Sequence, residues 1–315
     1  MFNDDKYLVD VVVPFADRIQ NLEPLETWIS REVLPKNFRV IFVHDVKSQD
    51  TAGKEITAML SRLDPGNSIY IKGKYGSPGA ARNAGLKKVT APWICFWDSD
   101  DSPIPGEFLV MIENGVRNQS NVCVGKFEFK ESQNQLQQIP SRGNSRVSVA
   151  MTPGFWRMAF TRESIGDVCF SNSRMGEDQL FLMAIDFGNL SWYRHDAVVY
   201  RYIVGVDSQL TNSKVNYTDL LDTFSNSIQF CHGKTGFRAA YIYSIMQLRM
   251  AATVWLKFPI GKSRKTLLKY IKQAISSPKN LVLATIPACI TVAFSHIPAT
   301  IHLVKLKFRG RSDYL

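Results

Sequence analysis

The sequence has 315 residues, 45% of them hydrophobic and 21% charged, with 38 Lys+Arg against 28 Asp+Glu for a formal charge of +10. That length suits one domain of about 200 residues with a sizeable core, plus a smaller appendage. The five cysteines (Cys95, Cys123, Cys169, Cys231, Cys289) form no CxxC pair or Cys/His cluster, which excludes a zinc or dithiol site and fits reduced, mostly buried thiols in a cytosolic protein.

The N-terminus, Met1 to Lys6, has no basic region or apolar run resembling a signal peptide, so export is not expected. Strand-like runs follow at Val9–Pro14, Phe38–His44, Ile69–Ile71 and Trp93–Trp97. Between them apolar residues recur at helical spacing: Leu22, Leu25, Trp28, Ile29 and Val33, then Ile56, Met59, Leu60 and Leu63. Nearly continuous apolar strands alternating with helices predict an α/β fold with a largely parallel sheet, its ligand crevice at the carboxyl ends of the strands. The polar stretch Glu131–Ser148 reads as a hairpin or mobile loop placed to cover that crevice. Phe155–Phe160 is strand-like, Ser171–Gly176 is a loop, and a helix opens at Glu177-Asp178. A strand pair near Leu190–Tyr193 and Ala197–Ile203 closes the domain at about residue 215.

The charge is unevenly placed. Residues 216–315 hold 14 Lys+Arg and 3 Asp+Glu, a net of +11, while residues 1–215 carry a net of −1. A neutral domain (1–215) followed by a basic, amphipathic helical tail (216–315) predicts attachment to an anionic membrane surface and no nucleic-acid partner. Within the tail, Leu281–Val304 lacks Asp, Glu, Lys and Arg, which is long enough for a bilayer-crossing helix. Pro287 and Pro298 interrupt it and both flanks are basic, which favours an in-plane or re-entrant hairpin; a helix pair buried in a soluble protein is the alternative.

Two clusters carry chemistry. Asp98-Ser99-Asp100-Asp101 follows an apolar strand, so three carboxylates crowd a strand end, and hard oxygen ligands of this kind favour Mg²⁺ or Mn²⁺. A helix cap for the segment starting near Pro105 would also explain them. The run Gly76-Ser77-Pro78-Gly79-Ala80-Ala81-Arg82-Asn83-Ala84-Gly85 makes a tight loop opening a helix, where free N–H groups and Arg82 could meet an anion. It matches neither the dinucleotide glycine fingerprint nor a P-loop.

With Val11-Val12-Val13-Pro14-Phe15-Ala16-Asp17, Val43-His44-Asp45 and Gly176-Glu177-Asp178, these clusters stand in an order and spacing that resembles family 2 glycosyltransferases, over about residues 8–205. Length and basic tail look most like the bacterial enzymes of capsule, O-antigen and exopolysaccharide synthesis. The resemblance implies the GT-A fold and a Mn²⁺- or Mg²⁺-dependent enzyme at the inner face of the plasma membrane. Its donor would be a nucleotide sugar, with UDP favoured, and its acceptor a lipid-linked saccharide. Pro14, Phe15, Asp17 and Asp45 would line the nucleoside pocket, with Gly76, Arg82 and Asn83 bordering nucleotide and sugar. Asp98 and Ser99 would lie at the ribose or sugar, Asp100 would bind the metal with Asp98, and Asp178 would be the base beside Glu177. His44 stands where many relatives carry an Asp, and no histidine occurs in 200–211, where relatives often supply one; Asp207 or Ser208 could substitute. No Gln-x-x-Arg-Trp occurs, which points to one sugar per encounter. A sugar-phosphate nucleotidyltransferase is a second reading, although the 76–85 loop lacks the lysine expected near a triphosphate. A degenerate membrane- or nucleic-acid-binding protein is the third.

Overall fold

The computed structural model describes residues 7–16, 34–46, 58, 66–131, 139–204, 216–232, 236–257, 268 and 288–289. The helices expected around residues 22–33 and 56–63 lie outside these, apart from residue 58, and so does Asp17.

Strands β1 (Val9–Ala16), β2 (Phe38–Asp45), β3 (Ser68–Gly73) and β4 (Trp93–Phe96) pair in parallel in the order β3-β2-β1-β4. The sheet continues through β8 (Met158–Thr161), β6 (Val122–Glu131), β9 (Trp192–Val204) and the short β5 (Ser102–Pro103), and β7 (Ile139–Arg142) pairs with β6. The second half is mixed. β8 runs antiparallel to β4 and β6, while β9 runs parallel to β6.

Strand alternation distributes the apolar residues over two cores. Val12, Ile41, Val43, Ile94 and Phe96 face one side; Val11, Val13, Val40, Phe42, Cys95 and Trp97 face the other. Helix α1 (Pro78–Leu86) covers the first face and α2 (Pro105–Arg117) the second, through Phe108, Met111 and Ile112. α1 starts where Ser77 Oγ accepts from Ala80 N–H (3.2 Å) and Pro78 presets the first turn; such a cap is worth about 1 kcal/mol. Gly85 lets α1 sit on the sheet, since a Cβ there would lie 2.4 Å from Val12 Cγ1. The buried Asp10 fixes the sheet's other end, accepting from Arg39 Nε and Nη2 at 2.7 Å and from the N–H groups of Thr90 and Ala91.

Three expectations change. Residues 190–203 do not form a strand pair: β9 is one 13-residue strand, and register shifts against Val124–Phe127 absorb its curvature. The polar 131–148 stretch does pair as a hairpin at its far end, but Arg146 begins a helix, α3 (Arg146–Met151), capped by Ser145. Cys95 and Cys123 are buried, whereas Cys169 and Cys289 are exposed. α4 (Arg162–Ile165) follows β8, and α5 (Glu177–Ala184) precedes β9.

The boundary expected near residue 215 falls outside the described residues. Beyond it, α6 (Asn216–His232) and α7 (Phe237–Lys257) bury Leu220, Phe224, Tyr243, Met246 and Met250 in the same core as Phe181 and Leu182 of α5. Ala288, within the uncharged 281–304 segment, is also buried in that core. Among the described residues no helix is long and apolar enough to cross a membrane.

Candidate functional site

β4 ends at Phe96, and the chain turns through Trp97 into the acidic tetrad. Asp101 does not cap α2, whose N-cap is Ile104 without a side-chain hydrogen bond. It is instead buried against β9, accepting from Ile203 N–H (2.8 Å) and from the Tyr200 hydroxyl (3.0 Å). Tyr200 Oη in turn accepts from Asp98 N–H at 3.0 Å. The turn is thus fixed from below. Burial, then Asp100 and Asp98, drive the Asp101 carboxyl well above its usual range.

Asp98 and Asp100 are left at the surface of the crevice, and Ser99 between them is buried. Burial and then repulsion from Asp98 raise Asp100 to about 6. A carboxylate under that pressure gains from a neighbouring cation. Among the described residues no group of three or more His, Cys, Asp or Glu is placed to hold a metal ion. Asp98 and Asp100 are two carboxylates that could contribute oxygens to a hard cation.

Arg82, on α1, is buried with its guanidinium 4.7 Å above the Phe155 ring and 5.6 Å from that of Phe170. Its Nη2 donates to Asp98 Oδ1 (2.7 Å) and its Nη1 to Glu177 Oε1 (2.9 Å). Burial would lower its pKa, but the two carboxylates outweigh that and raise it. One arginine thereby joins the acidic turn to the start of α5. Asn83 acts elsewhere. Its amide donates to Phe170 O (2.9 Å) and accepts from Phe170 N–H (2.8 Å), stapling the segment before α5 to α1. Gly79 permits that contact, because a Cβ there would meet Ser171 O at 2.1 Å.

α5 begins after Gly176, whose φ of +80° suits glycine and which packs against Thr223 and Leu220 of α6. Thr223 Oγ1 donates to Met175 O (2.9 Å), and Arg174 N–H donates to Asp219 (2.8 Å). Glu177 and Asp178 occupy the first turn, where the helix dipole favours negative charge. Burial nevertheless raises Glu177 to about 7, with Arg82 opposing and Asp178 assisting. Asp178 is raised to about 6, again first by burial, against the pull of Gln179 N–H and of the cations Arg249 and Arg82.

On the β1/β2 side, Phe15 stacks on the buried His44 (4.9 Å, 11° between planes), and His44 Nδ1 lies 2.7 Å from the Tyr70 hydroxyl. Asp45 accepts from Tyr75 N–H (2.6 Å) and from Gly76 N–H, so it shapes the loop leading into α1. Gly76 has φ +78° and open space where a Cβ would stand. Pro14, half-buried, sits beside Val43 in the β1–β2 register.

The motif residues from β1, β2, α1, β4 and α5 thus meet at the carboxyl edge of the parallel strands. The Glycosyl transferase family 2 profile matches residues 10–175, more than half the chain. The chain belongs to glycosyltransferase family 2. A curated Escherichia coli relative, the UDP-Glc:α-D-GlcNAc-diphosphoundecaprenol β-1,3-glucosyltransferase WfgD, is 26% identical over 125 residues, 40% of this chain and 47% of that protein. Glycosyltransferase GlyA of Streptococcus pneumoniae is 30% identical over 42% of this chain and 18% of its own length. The chain matches less than half the length of these curated relatives. Among solved structures, Staphylococcus aureus TarS residues 1–349 with UDP-GlcNAc superposes with a TM-score of 0.67 at 16% identity, covering 90% of this chain and 88% of that one. The Pyrobaculum calidifontis mannosyltransferase PcManGT with GDP-Man and Mn²⁺ gives 0.56 at 16% identity, over 91% and 87%. The fold is that of GT-A enzymes, as the motifs implied. A family 2 transferase replaces the nucleotidyltransferase reading.

Sequence reasoning missed the packing of Arg82 against Phe155 and Phe170, the Tyr200 bridge and the electrostatic pull of Arg249 on Asp178. The two tyrosines left one signal: Tyr200 and Tyr202 alternate along a strand, so both point to one face.

Proposed function

We propose that the chain is an inverting, non-processive, metal-dependent glycosyltransferase of bacterial surface-polysaccharide synthesis. It transfers a sugar from a nucleotide diphosphate, UDP favoured, to a hydroxyl of a lipid-linked saccharide at the cytoplasmic face of the membrane, with the basic tail against anionic lipid. The observation that carries this reading is the Arg82 bridge, which holds Asp98 of the acidic turn and Glu177 beside Asp178 in one crevice. TarS and PcManGT, with their nucleotide-sugar ligands, and WfgD, with its lipid diphosphate acceptor, support the substrate classes.

The Phe15–His44 stack and Asp45 seat the nucleoside, and Gly76 lets backbone approach it closely. Asp100 and Asp98 would hold Mn²⁺ or Mg²⁺, which would supply charge neutralisation for the departing diphosphate. Asp178 accepts the proton of the acceptor hydroxyl as its oxygen bonds to the anomeric carbon; the bond from that carbon to the diphosphate breaks, releasing the nucleoside diphosphate. Attack from the face opposite the leaving group inverts the centre. Arg82 holds Glu177 in place and opposes the rise that burial imposes on its carboxyl, so that Asp178 faces the acceptor from a rigid first turn.

A thermal-shift screen of UDP-, GDP- and dTDP-sugars with and without Mn²⁺ tests the donor, because only a bound ligand raises apparent stability. Asp178→Asn should then keep the donor-induced shift and lose transfer. Near-normal turnover in Asp178→Asn would falsify the base assignment.

A further inference from the structure

β9 carries more than the strut for Asp101. Tyr202 lies two residues beyond Tyr200 and thus on the same face of the strand. Where Tyr200 is fully buried with its hydroxyl engaged, Tyr202 is half-buried, and its hydroxyl has no hydrogen bond among the described residues. Trp156 stacks on the Tyr202 ring (5.4 Å, 26°), and Phe129 meets it edge-on (5.8 Å, 87°). The next residue, Ile203, is tied by its N–H to Asp101 (2.8 Å), which fixes the strand backbone beside Tyr202 to the acidic turn. Burial, then the negative charges of Asp101, Asp98, Asp100 and Asp178, hold the Tyr202 hydroxyl in its protonated form, able to donate.

Sheet order gives the direction. From β2 and β1, which carry Asp45 and Phe15, the sheet passes to β4 with the acids and then through β8 and β6 to β9. Tyr202 therefore stands on the side of the acids away from the nucleoside residues, within the field of Asp178. An aromatic wall with one free donor matches a sugar ring: the C–H face of the pyranose packs on the π-surface, and a ring hydroxyl accepts from the phenol.

We propose that Tyr202, backed by Trp156, forms a saccharide subsite that seats the acceptor sugar beside Asp178. The assignment to acceptor rests on the transferase reading above; the saccharide site does not.

The test uses the full chain and its Tyr202→Phe and Tyr202→Leu variants. Calorimetric titration measures binding of p-nitrophenyl glycosides of glucose, galactose, mannose, N-acetylglucosamine and N-acetylgalactosamine, and separately of UDP with Mn²⁺. At least one glycoside should bind the wild type. Tyr202→Leu should weaken it about tenfold, the size of one aromatic contact, and Tyr202→Phe, which keeps the ring and its packing, about threefold for one hydrogen bond. UDP affinity should stay within about twofold in all three proteins, since Tyr202 lies outside the nucleoside side. The proposal is overturned if no glycoside binds the wild type, if Tyr202→Leu binds as the wild type does, or if UDP affinity falls in step. Tyr202-dependent glycoside binding without any UDP binding would support the subsite and overturn the donor assignment instead.

Discussion

Arg82 and Glu177 are 95 residues apart in sequence, yet they meet at 2.9 Å with the guanidinium almost wholly buried. Replacing Arg82 by Met keeps much of its volume against Phe155 and Phe170 but strands Glu177 and Asp98. Removing one partner of a buried ion pair costs about 3 kcal/mol or more. Urea unfolding should show a loss of this size for Arg82→Met, with part recovered in Arg82→Met/Glu177→Gln. A melt identical to wild type would show that the bridge does not hold the site together.

The raised carboxylates make two pH statements. Asp178, at about 6, must be ionised to serve as the proposed base, so transfer should fall as pH drops through that value. For stability the sign is opposite. Glu177, at about 7, and Asp178 hold their protons more tightly folded than unfolded. Their stabilising contribution is complete below the ordinary carboxylate range of about 4 and is lost as pH rises through 6 to 7. Relative to Glu177→Gln/Asp178→Asn, the melting temperature of the ligand-free wild type should decline between pH 4 and 7. Parallel curves for the two proteins would count against it.

Asp100→Asn removes a carboxylate that burial and Asp98 both oppose. Without divalent cation the variant should melt at or above the wild-type temperature. With Mn²⁺ and nucleotide the wild type should gain stability and the variant should not, which differential scanning fluorimetry reads directly. An equal Mn²⁺ gain in both would remove Asp100 from the metal site.

Tyr200→Phe deletes the hydroxyl that Asp98 N–H and Asp101 share. The loss of a fully buried bridging group should cost about 1–3 kcal/mol in chemical denaturation. A change below about 0.5 kcal/mol would mean the acidic turn is held elsewhere.

The parallel half of the fold was legible because β1, β2 and β4 are continuous apolar runs, and strand ends follow from that pattern. The acidic tetrad and Gly176-Glu177-Asp178 were legible because their residue types are unusual at such places. β9 was not, since a 13-residue strand whose register slips against β6 loses its period. Asn83 looked like a ligand contact, yet its amide is consumed by Phe170. Long-range partners such as Arg82–Glu177 leave no local trace. The charge of residues 216–315 gave no sign that the buried sides of α6 and α7 belong to the core.

A chain cut near residue 215 is therefore a poor probe of membrane attachment. It would strip Leu220, Phe224 and Tyr243 from the core and should aggregate or fail to melt cooperatively, which size-exclusion chromatography and calorimetry would report. A cut after residue 257 keeps α6 and α7. If the shorter chain stays monomeric with a sharp melt, α6 and α7 are dispensable for folding.

The stitches from Thr223 to Met175 and from Asp219 to Arg174 also set an order in time. During synthesis the parallel strands that carry Phe15 and Asp45 leave the ribosome early, but the segment bearing Asp178 finds its anchors only once α6 has emerged. The first turn of α5 thus gains its anchors only after residues 219 and 223 have been made, late in translation.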